Sequence, residues 1–206
     1  MESGVTAVVE WLRAAAREFD GRVLELNDLD RLLGDGDHGT NMHRGFHTAQ
    51  FMDFDRLDTP NEALRHAGMA LVSVVGGASG PLFGTFLLRS GAMWPREKTT
   101  ASIATAVRAG LDGIVARGKA EPGDKTMVDA LAPAVEVLER AAAEGVDLQT
   151  ALAEAAAAAE AGRDRTADMV ARRGRAALRA SDSLGVLDPG AVSMAVILRT
   201  AAEHIS

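Results

Sequence analysis

The apolar positions of this 206-residue chain recur every three to four residues along most of its length, which is the spacing of an amphipathic helix. In the segment TAVVEWLRAAAREF, for example, Val8, Leu12 and Ala15 share one helical face. No segment alternates apolar and polar residues between hairpin turns, tyrosine is absent, and aromatic residues make up only 4%. The pattern predicts an all-α protein of about eight helices joined by glycine-rich loops.

Several helix ends carry their own signals. Thr59 is a candidate N-cap, with Pro60 at the first helical position and Glu62 at the capping-box spacing. Gly118 and Gly145 each follow a periodic apolar segment and are predicted to be helix C-caps.

The C-terminal half is also predicted to be helical. Pro133 lies inside the segment KTMVDALAPAVEVLERAAAEG, where a proline predicts a kink or a break. The alanine-rich segment LQTALAEAAAAAEAGRDRTADMVAR predicts one long helix, and AVSMAVILRTAAEHI predicts the helix that closes the chain.

Composition narrows the class of protein. Hydrophobic residues make up 47% and charged residues 25%, so we expect one globular domain over residues 1–206. Cysteine is absent, which excludes disulfides and thiolate metal sites. The formal charge of −7 argues against a nucleic-acid partner. Because no uncharged run reaches roughly 18 residues and no signal-peptide pattern is present, we predict a cytoplasmic protein without a membrane partner.

The segment LDRLLGDGDHGTNMHRGF places three aspartates, Asp30, Asp35 and Asp37, among glycines where an apolar run ends. Asp30 is expected near the end of a helix that starts around Val23, and the other two follow in a loop. Three carboxylates brought together repel one another unless a cation neutralises them, and Mg²⁺ is a hard ion that binds such oxygens. The alternative is a solvated Asp-Gly turn. An EF-hand is excluded because its twelfth position, counted from Asp35, is Phe46.

Histidines near this loop raise the question of zinc. His43 and His47 could share a helix face, but Arg44 follows His43, so the HExxH pattern is absent. Surface histidines on a short amphipathic helix are the better interpretation. His38 lies within the aspartate loop, where it could donate to a phosphate or hydrogen-bond a carboxylate.

A second glycine-rich turn, GGASGPLFGT, enters a predicted helix. Such a turn exposes backbone N–H groups and the positive end of the helix dipole, which suits a phosphate group, although a tight interhelical turn has the same composition. Neither a P-loop nor a G-x-G-x-x-G motif after a strand is present.

The remaining loops are charged. The segment GKAEPGDKTM is typical of a charged surface turn, and Arg172, Arg173 and Arg175 either face an anion across a pocket or cover a solvated helix end. Asp188 is predicted to cap the last helix. Taken together, the loops predict one site, assembled from separate turns, for a carboxylate-bound cation and a phosphate-bearing ligand.

Five ordered motifs add a resemblance to a known family. LDRLLGDGDHGTNMHRGF, GGASGPLFGT, RGKAEPGDKTM, GRA and DPGA, between about residue 20 and residue 195, closely resemble the nucleotide-binding L subunit of dihydroxyacetone kinases. This resemblance implies an antiparallel barrel of eight helices with the nucleotide at one end, and a pair of Mg²⁺ ions bound by Asp30, Asp35 and Asp37. It assigns no catalytic residue. The nucleotide contacts that it implies are His38, Gly39, Thr40, Asn41, Ser79, Gly80, Gly118, Met127, Arg175, Asp188, Pro189 and Gly190.

The resemblance also implies an activity. The chain would hold ADP or ATP with Mg²⁺ and transfer a phosphoryl group to dihydroxyacetone on a partner K subunit. In one version of the family ADP stays bound and is rephosphorylated by a phosphocarrier M subunit of the phosphotransferase system, and in the other ATP exchanges. We expect the first version. The alternatives are a regulatory module that binds ADP and Mg²⁺ and docks a transcription regulator, or a subunit of a kinase for another small ketose or polyol.

Overall fold

The computed structural model describes residues 4–51 and 57–205 of the chain. Within these ranges it contains α-helices, 3₁₀ segments and loops but no strand, which confirms the all-α prediction. The helices are α1 (Gly4–Gly21), α2 (Val23–Leu33), α3 (His38–Gln50), α4 (Pro60–Val74), α5 (Ser79–Ala92), α6 (Thr100–Gly118), α7 (Val128–Glu144), α8 (Leu148–Arg165) and α9 (Pro189–His204). Two 3₁₀ segments, Thr166–Asp168 and Arg175–Asp182, lie in the connection between α8 and α9.

Eight of these helices form a closed ring. From α3 to α9 each helix packs against the next, α9 packs against α1, and α1 packs against α3, while α2 extends from α1 and packs on α3. Because short connections make consecutive helices antiparallel, alternate connections gather at the same end of the ring. We call one end the glycine-rich end, formed by the connections 34–37, 75–78, 119–127 and 166–188. The other is the capped end, where α4, α6 and α8 begin.

The core fills the inside of this ring with apolar side chains. Trp11 and Trp94 stack with ring centroids 6.0 Å apart near the capped end, and the Trp11 indole N–H donates to the Ile197 carbonyl at 2.9 Å. Glycines bring α4 and α5 together, since a Cβ on Gly84 would lie 2.7 Å from the Gly68 carbonyl oxygen. At this contact α4 and α5 approach so closely that only glycine fits.

The predicted caps are mostly confirmed. Thr59 and Glu62 form a capping box at the start of α4, and Gly145 ends α7 in a left-handed conformation with φ of 71°. The prediction for Gly118 was wrong in detail, because α6 includes this residue and its C-cap is Lys119, with φ of 55°. Gly118 is the last residue of α6 and lies against Leu82 of α5, and the left-handed conformation falls on the next residue.

Two predictions for the C-terminal half need correction. Pro133 does not break α7, which is continuous from Val128 to Glu144, so the predicted break was wrong and the kink stays a prediction. The proline ring lies against α8, where a Cβ on Gly162 would be 3.0 Å away. The long helix predicted to include MVAR stops at Arg165, and the chain turns away through the first 3₁₀ segment. Among the residues that the structure describes, no helix combines the length and apolarity needed to cross a membrane.

Candidate functional site

The four connections of the glycine-rich end surround one cavity. Alternate connections of an antiparallel ring must meet there, so the motifs predicted to act together do lie together. The predicted site residues that line this cavity are Asp30, Asp35, Asp37, His38, Asn41, Ser79, Met127, Arg175, Asp188, Pro189 and Gly190.

Three carboxylates converge on one side of the cavity. One oxygen from each of Asp30, Asp35 and Asp37 lies within 4.8 Å of the others. Asp30 projects from the last turn of α2, and its Oδ2 accepts hydrogen bonds from the backbone N–H groups of Asp37, at 2.9 Å, and His38, at 3.2 Å. The Arg175 guanidinium forms an ion pair with Asp35. This arrangement of oxygen donors fits a hard divalent cation such as Mg²⁺.

His38 occupies the floor between three helices. Its ring is buried, with Nδ1 3.1 Å from the Ser79 hydroxyl and Nε2 2.9 Å from the Ser193 hydroxyl. Burial lowers the pKa of His38 to about 4, despite the nearby Asp30 and Asp37 carboxylates, so the ring is neutral at pH 7. The Ser79 and Ser193 hydroxyl groups thus join this ring of α3 to α5 and α9. Since His38 also lines the cavity, its contact with a phosphate stays a prediction.

The first turn of α5 faces the cavity without a side-chain cap. Its N-cap is Ala78, which has no side-chain acceptor, and Ser79 begins the helix. The first N–H groups of a helix have no partner within the helix, and together with the dipole they attract an anion. This end of α5 can therefore hold a phosphate group on the side of the cavity formed by GGASGPLFGT.

Asp188 closes the opposite wall. It is buried, and its carboxylate accepts a hydrogen bond from the Ala191 N–H at 2.7 Å, which confirms the predicted cap of α9. Burial raises the pKa of Asp188 to about 7, an effect that the nearby Lys125 ammonium only partly offsets.

The charged segment GKAEPGDKTM is not the surface turn that its composition indicates. Asp124 and Lys125 are both buried, and Lys125 lines the cavity together with Thr126. The partners of the Lys125 ammonium are backbone carbonyls of Thr166 and Val186, far away in the sequence, so no local pattern could have identified them. Arg173, which the sequence analysis placed either across a pocket from an anion or at a solvated helix end, lines the cavity, and so do Leu33, Leu82 and Ala176, which the sequence did not single out.

Four predicted contacts do not line the cavity. Gly39 lies in the first turn of α3 and packs against α2, where a Cβ would come within 2.2 Å of the Val23 carbonyl oxygen. Thr40 is exposed, and its hydroxyl accepts a hydrogen bond from the Asn27 amide at 2.9 Å. Gly80 packs against the end of α4, and Gly118 against α5. Their assignment as nucleotide contacts stays a prediction.

Comparison with known proteins identifies relatives of this arrangement. The family described as "DAK2 domain" matches residues 32–203. The chain is 40% identical to the PEP-dependent dihydroxyacetone kinase, ADP-binding subunit DhaL, of Escherichia coli (strain K12), over 94% of both proteins. It is 34% identical to the PTS-dependent dihydroxyacetone kinase, ADP-binding subunit DhaL, of Lactococcus lactis, over 98% of both.

A solved structure agrees in fold. The crystal structure of the dihydroxyacetone kinase from C. freundii in complex with AMP-PNP and Mg²⁺ matches 98% of this chain with a TM-score of 0.73 and 28% identity. This chain spans about a third of the crystallised kinase, 34% of its length. The family match and the two full-length relatives confirm the resemblance drawn from the five motifs, and the chain belongs to the DAK2 domain family.

Proposed function

We propose that this chain is the nucleotide-binding subunit of a dihydroxyacetone kinase, and that residues 1–206 act as one nucleotide-binding domain. The observation that carries the proposal is the cavity of the glycine-rich end, which is lined both by three carboxylates and by an uncapped helix N-terminus. It occurs in a chain that is 40% identical to an ADP-binding subunit over 94% of both proteins.

The chain's own groups would divide the work of binding. Asp30, Asp35 and Asp37 would hold a pair of Mg²⁺ ions, which would supply charge neutralisation for the β- and γ-phosphates. The N-terminus of α5 and the Arg175 guanidinium would bind phosphate oxygens.

The rest of the cavity would receive the nucleoside. Met127 would pack against the adenine ring, since a thioether makes favourable contacts with aromatic faces. Asp188, Pro189 and Gly190 would close the cavity. The proposed contacts are completed by His38, Gly39, Thr40, Asn41, Ser79, Gly80 and Gly118. The protein's contribution to phosphoryl transfer is then positioning and electrostatics, and no side chain forms a covalent intermediate.

The acceptor hydroxyl would come from a partner. This chain corresponds to about a third of the single-chain kinase from C. freundii, so we propose a separate K subunit that binds dihydroxyacetone. We further propose that ADP remains bound and is rephosphorylated by a phosphocarrier M subunit, as the names of the PEP- and PTS-dependent relatives support.

Thermal unfolding with and without Mg²⁺ and ADP tests the nucleotide site. The wild type should be stabilised by about 2.7 kcal/mol at a ligand concentration 100 times the Kd, because a ligand that binds only the native state must stabilise it. Asp35→Ala should abolish this stabilisation. Asp28→Ala, which removes an exposed carboxylate of α2 paired with Arg31, should keep it. A wild type that Mg²⁺ and ADP do not stabilise would overturn the proposal.

Two further measurements test the assembly. Native mass spectrometry of the purified chain should find retained ADP if the nucleotide is a bound cofactor, and an empty site that fills on addition of ATP would contradict that version. A coupled assay with a K subunit, an M subunit and dihydroxyacetone should yield dihydroxyacetone phosphate. Nucleotide binding without transfer would instead favour a regulatory role.

A further inference from the structure

The connection 166–188 contributes basic residues to the cavity lining but buries few apolar side chains of its own. It carries Arg173, Gly174 and Arg175 to the cavity. Its apolar contacts are small, because Ala171 and Ala176 form with Leu33 a minor cluster separate from the main core. Such a segment needs other contacts to fix its position.

Lys125 supplies a contact at each end of this connection. Its side chain is only 1% exposed, and its Nζ donates hydrogen bonds to the carbonyl oxygens of Thr166 and Val186. Hydrogen bonds from a charged donor are roughly twice as strong as neutral ones. A single ammonium therefore joins the point where the chain leaves α8 to the point where it approaches α9.

The same turn also holds the middle of the connection. The Asp124 carbonyl accepts a hydrogen bond from the Arg172 N–H at 3.1 Å, and the Asp124 carboxylate accepts one from Arg173 Nε at 3.3 Å. The turn is itself fixed to α7, because the Asp129 carboxylate accepts hydrogen bonds from Thr126 N–H, at 2.7 Å, and Gly123 N–H. The connection 166–188 is thus attached to a turn that is itself held in place by α7.

We infer that Lys125 is a positioning residue of the nucleotide site, because its ammonium fixes the connection 166–188 and thereby sets where Arg175 lies. The inference rests on the proposed function, in which Arg175 binds phosphate oxygens. Lys125 acts through the connection. Because its ammonium donates to two backbone carbonyls, the contact with phosphate is assigned to Arg175.

Lys125→Met tests this inference because it keeps the unbranched stem of the side chain and removes the ammonium group. Lys119→Met is a matched control, since Lys119 lies in the same turn, shares the left-handed conformation and is exposed. Hydrogen exchange of the nucleotide-free protein should become faster in residues 167–186 of Lys125→Met, while amides within α4, α5 and α6 remain unchanged. Lys119→Met should match the wild type, and unchanged exchange in Lys125→Met would overturn the inference.

A double-mutant cycle links Lys125 to Arg175. Lys125→Met should weaken the affinity for ADP with Mg²⁺, measured by calorimetry, about tenfold or more, since small displacements of a binding group are costly. In an Arg175→Ala background the same change should weaken affinity by less than about twofold, which is the margin within which the effects of independent sites add. An equal loss in both backgrounds would overturn the inference.

Further outcomes keep the two proposals distinct. A wild type that does not bind ADP with Mg²⁺ would defeat the proposed function, while the exchange experiment would still test whether Lys125 holds the connection. Should Lys125→Met not fold, Asp124→Asn replaces it, because it removes the charge that pairs with Arg173 while its amide oxygen can still accept from the Glu121 N–H, and Asp124 lies outside the cavity lining. It should give the same pattern with a smaller loss, and no loss would overturn the inference.

Discussion

The two ends of the helical ring begin their helices in different ways. At the capped end, α4 and α6 start with capping boxes from Thr59 and Thr99, and the Asp147 carboxylate accepts a hydrogen bond from the Thr150 N–H at the start of α8. At the glycine-rich end, the N-cap residues of α3, α5 and α7 make no side-chain cap, and α9 alone has one, from Asp188. The capped end is closed by the side chains of its N-cap residues, whereas at the cavity the first turn of α5 has no such cap and leaves backbone donors for a ligand.

The two ends also differ in backbone conformation. Among the described residues, every one with positive φ except Gly145 lies in a connection of the glycine-rich end, including the non-glycine residues Lys119 and Lys125. Left-handed backbone is unfavourable for a lysine and persists only where the surroundings fix it. The contrast teaches that local stability is concentrated at the capped end and that the other end is shaped for a ligand.

The largest expected effect comes from Asp30. Asp30→Asn should leave stability nearly unchanged, because its amide oxygen can still accept from the N–H groups of Asp37 and His38. Affinity for ADP with Mg²⁺ should fall roughly 100- to 1000-fold, which is the cost of truncating one member of a desolvated charge pair. Calorimetry and urea unfolding separate the two quantities.

Asp30→Ala serves as the comparison for that variant. It should lose the same affinity and also about 1 kcal/mol of stability, because two backbone donors lose their acceptor. Retained affinity in Asp30→Asn would contradict the proposed metal site.

The second prediction concerns stability as a function of pH. The N-cap aspartates of the two ends contribute to it with opposite signs. Burial raises the pKa of the cap Asp188 to about 7, above its unfolded value of 3.8, so the native state holds an extra proton between these values. Its contribution makes stability fall as pH rises from about 4 to about 7. The cap Asp147 at the other end is exposed, and the hydrogen bond from the Thr150 N–H lowers its pKa. Its contribution is present above its unfolded pKa and is lost in acid.

Asp188→Asn should therefore gain stability relative to the wild type as pH rises. The difference in unfolding free energy should be small at pH 4.5 and reach about 2–4 kcal/mol at pH 8, from a pKa difference of about 3 units. Urea unfolding without metal or nucleotide at several pH values measures it. His38, whose lowered pKa gives the opposite slope between about 4 and 6.5, is common to both proteins and cancels.

Asp147→Asn provides the matched control, since it replaces an N-cap aspartate at the capped end. It should show no gain at pH 8. A difference between Asp188→Asn and wild type that does not change with pH would mean that Asp188 does not titrate in this range.

Local signals explain how much the sequence could predict. The presence of most helices, the capping box at Thr59 and the cap at Asp188 depend on neighbours within about four residues, and these were predicted. Some helix ends were not: α3 begins at His38, which was expected in a loop, and α8 stops at Arg165. The carboxylate cluster was predictable because Asp30, Asp35 and Asp37 lie close in the sequence on either side of a helix end. The assembly of one site from separate turns was predicted from the glycine-rich loops, its position at one end was implied by the resemblance, and an antiparallel ring of helices brings such turns together.

The misses involve contacts between residues that are far apart in sequence. The segment that contains Lys125 has the composition of a surface turn, and the carbonyl groups that bind the Lys125 ammonium lie 41 and 61 residues away. Local sequence therefore could not reveal that this lysine is buried. The end of α8 at Arg165 was missed for a related reason. Alanine-rich sequence favours continuing the helix, but the Thr166 hydroxyl instead accepts a hydrogen bond from the Asp188 N–H at 3.0 Å, which holds the connection in place. Helix propensity yields to tertiary contacts at such positions.

The third prediction changes charge at the uncapped helix. Ala78→Asp places a carboxylate at the exposed N-cap of α5, where the αR backbone does not favour a capping bond, so stability should change little. Affinity for ADP with Mg²⁺ should fall about tenfold because the new charge repels phosphate, and added salt should reduce the loss. Ala78→Ser is the neutral control and should bind nearly as well as the wild type. An equal loss in both variants would show that bulk, and not charge, matters here.

The smallest effect lies at the capped end. Thr59→Ala removes the side-chain acceptor for the Glu62 N–H and should cost about 1 kcal/mol of stability, the usual value of an N-cap. Because α4 begins at the end opposite the cavity, affinity for ADP with Mg²⁺ per folded molecule should stay unchanged. Urea unfolding and calorimetry on the same preparation measure both quantities. A loss of affinity comparable to that of Ala78→Asp would mean that the two ends are coupled through α4, and the division between a stabilising end and a binding end would have to be abandoned.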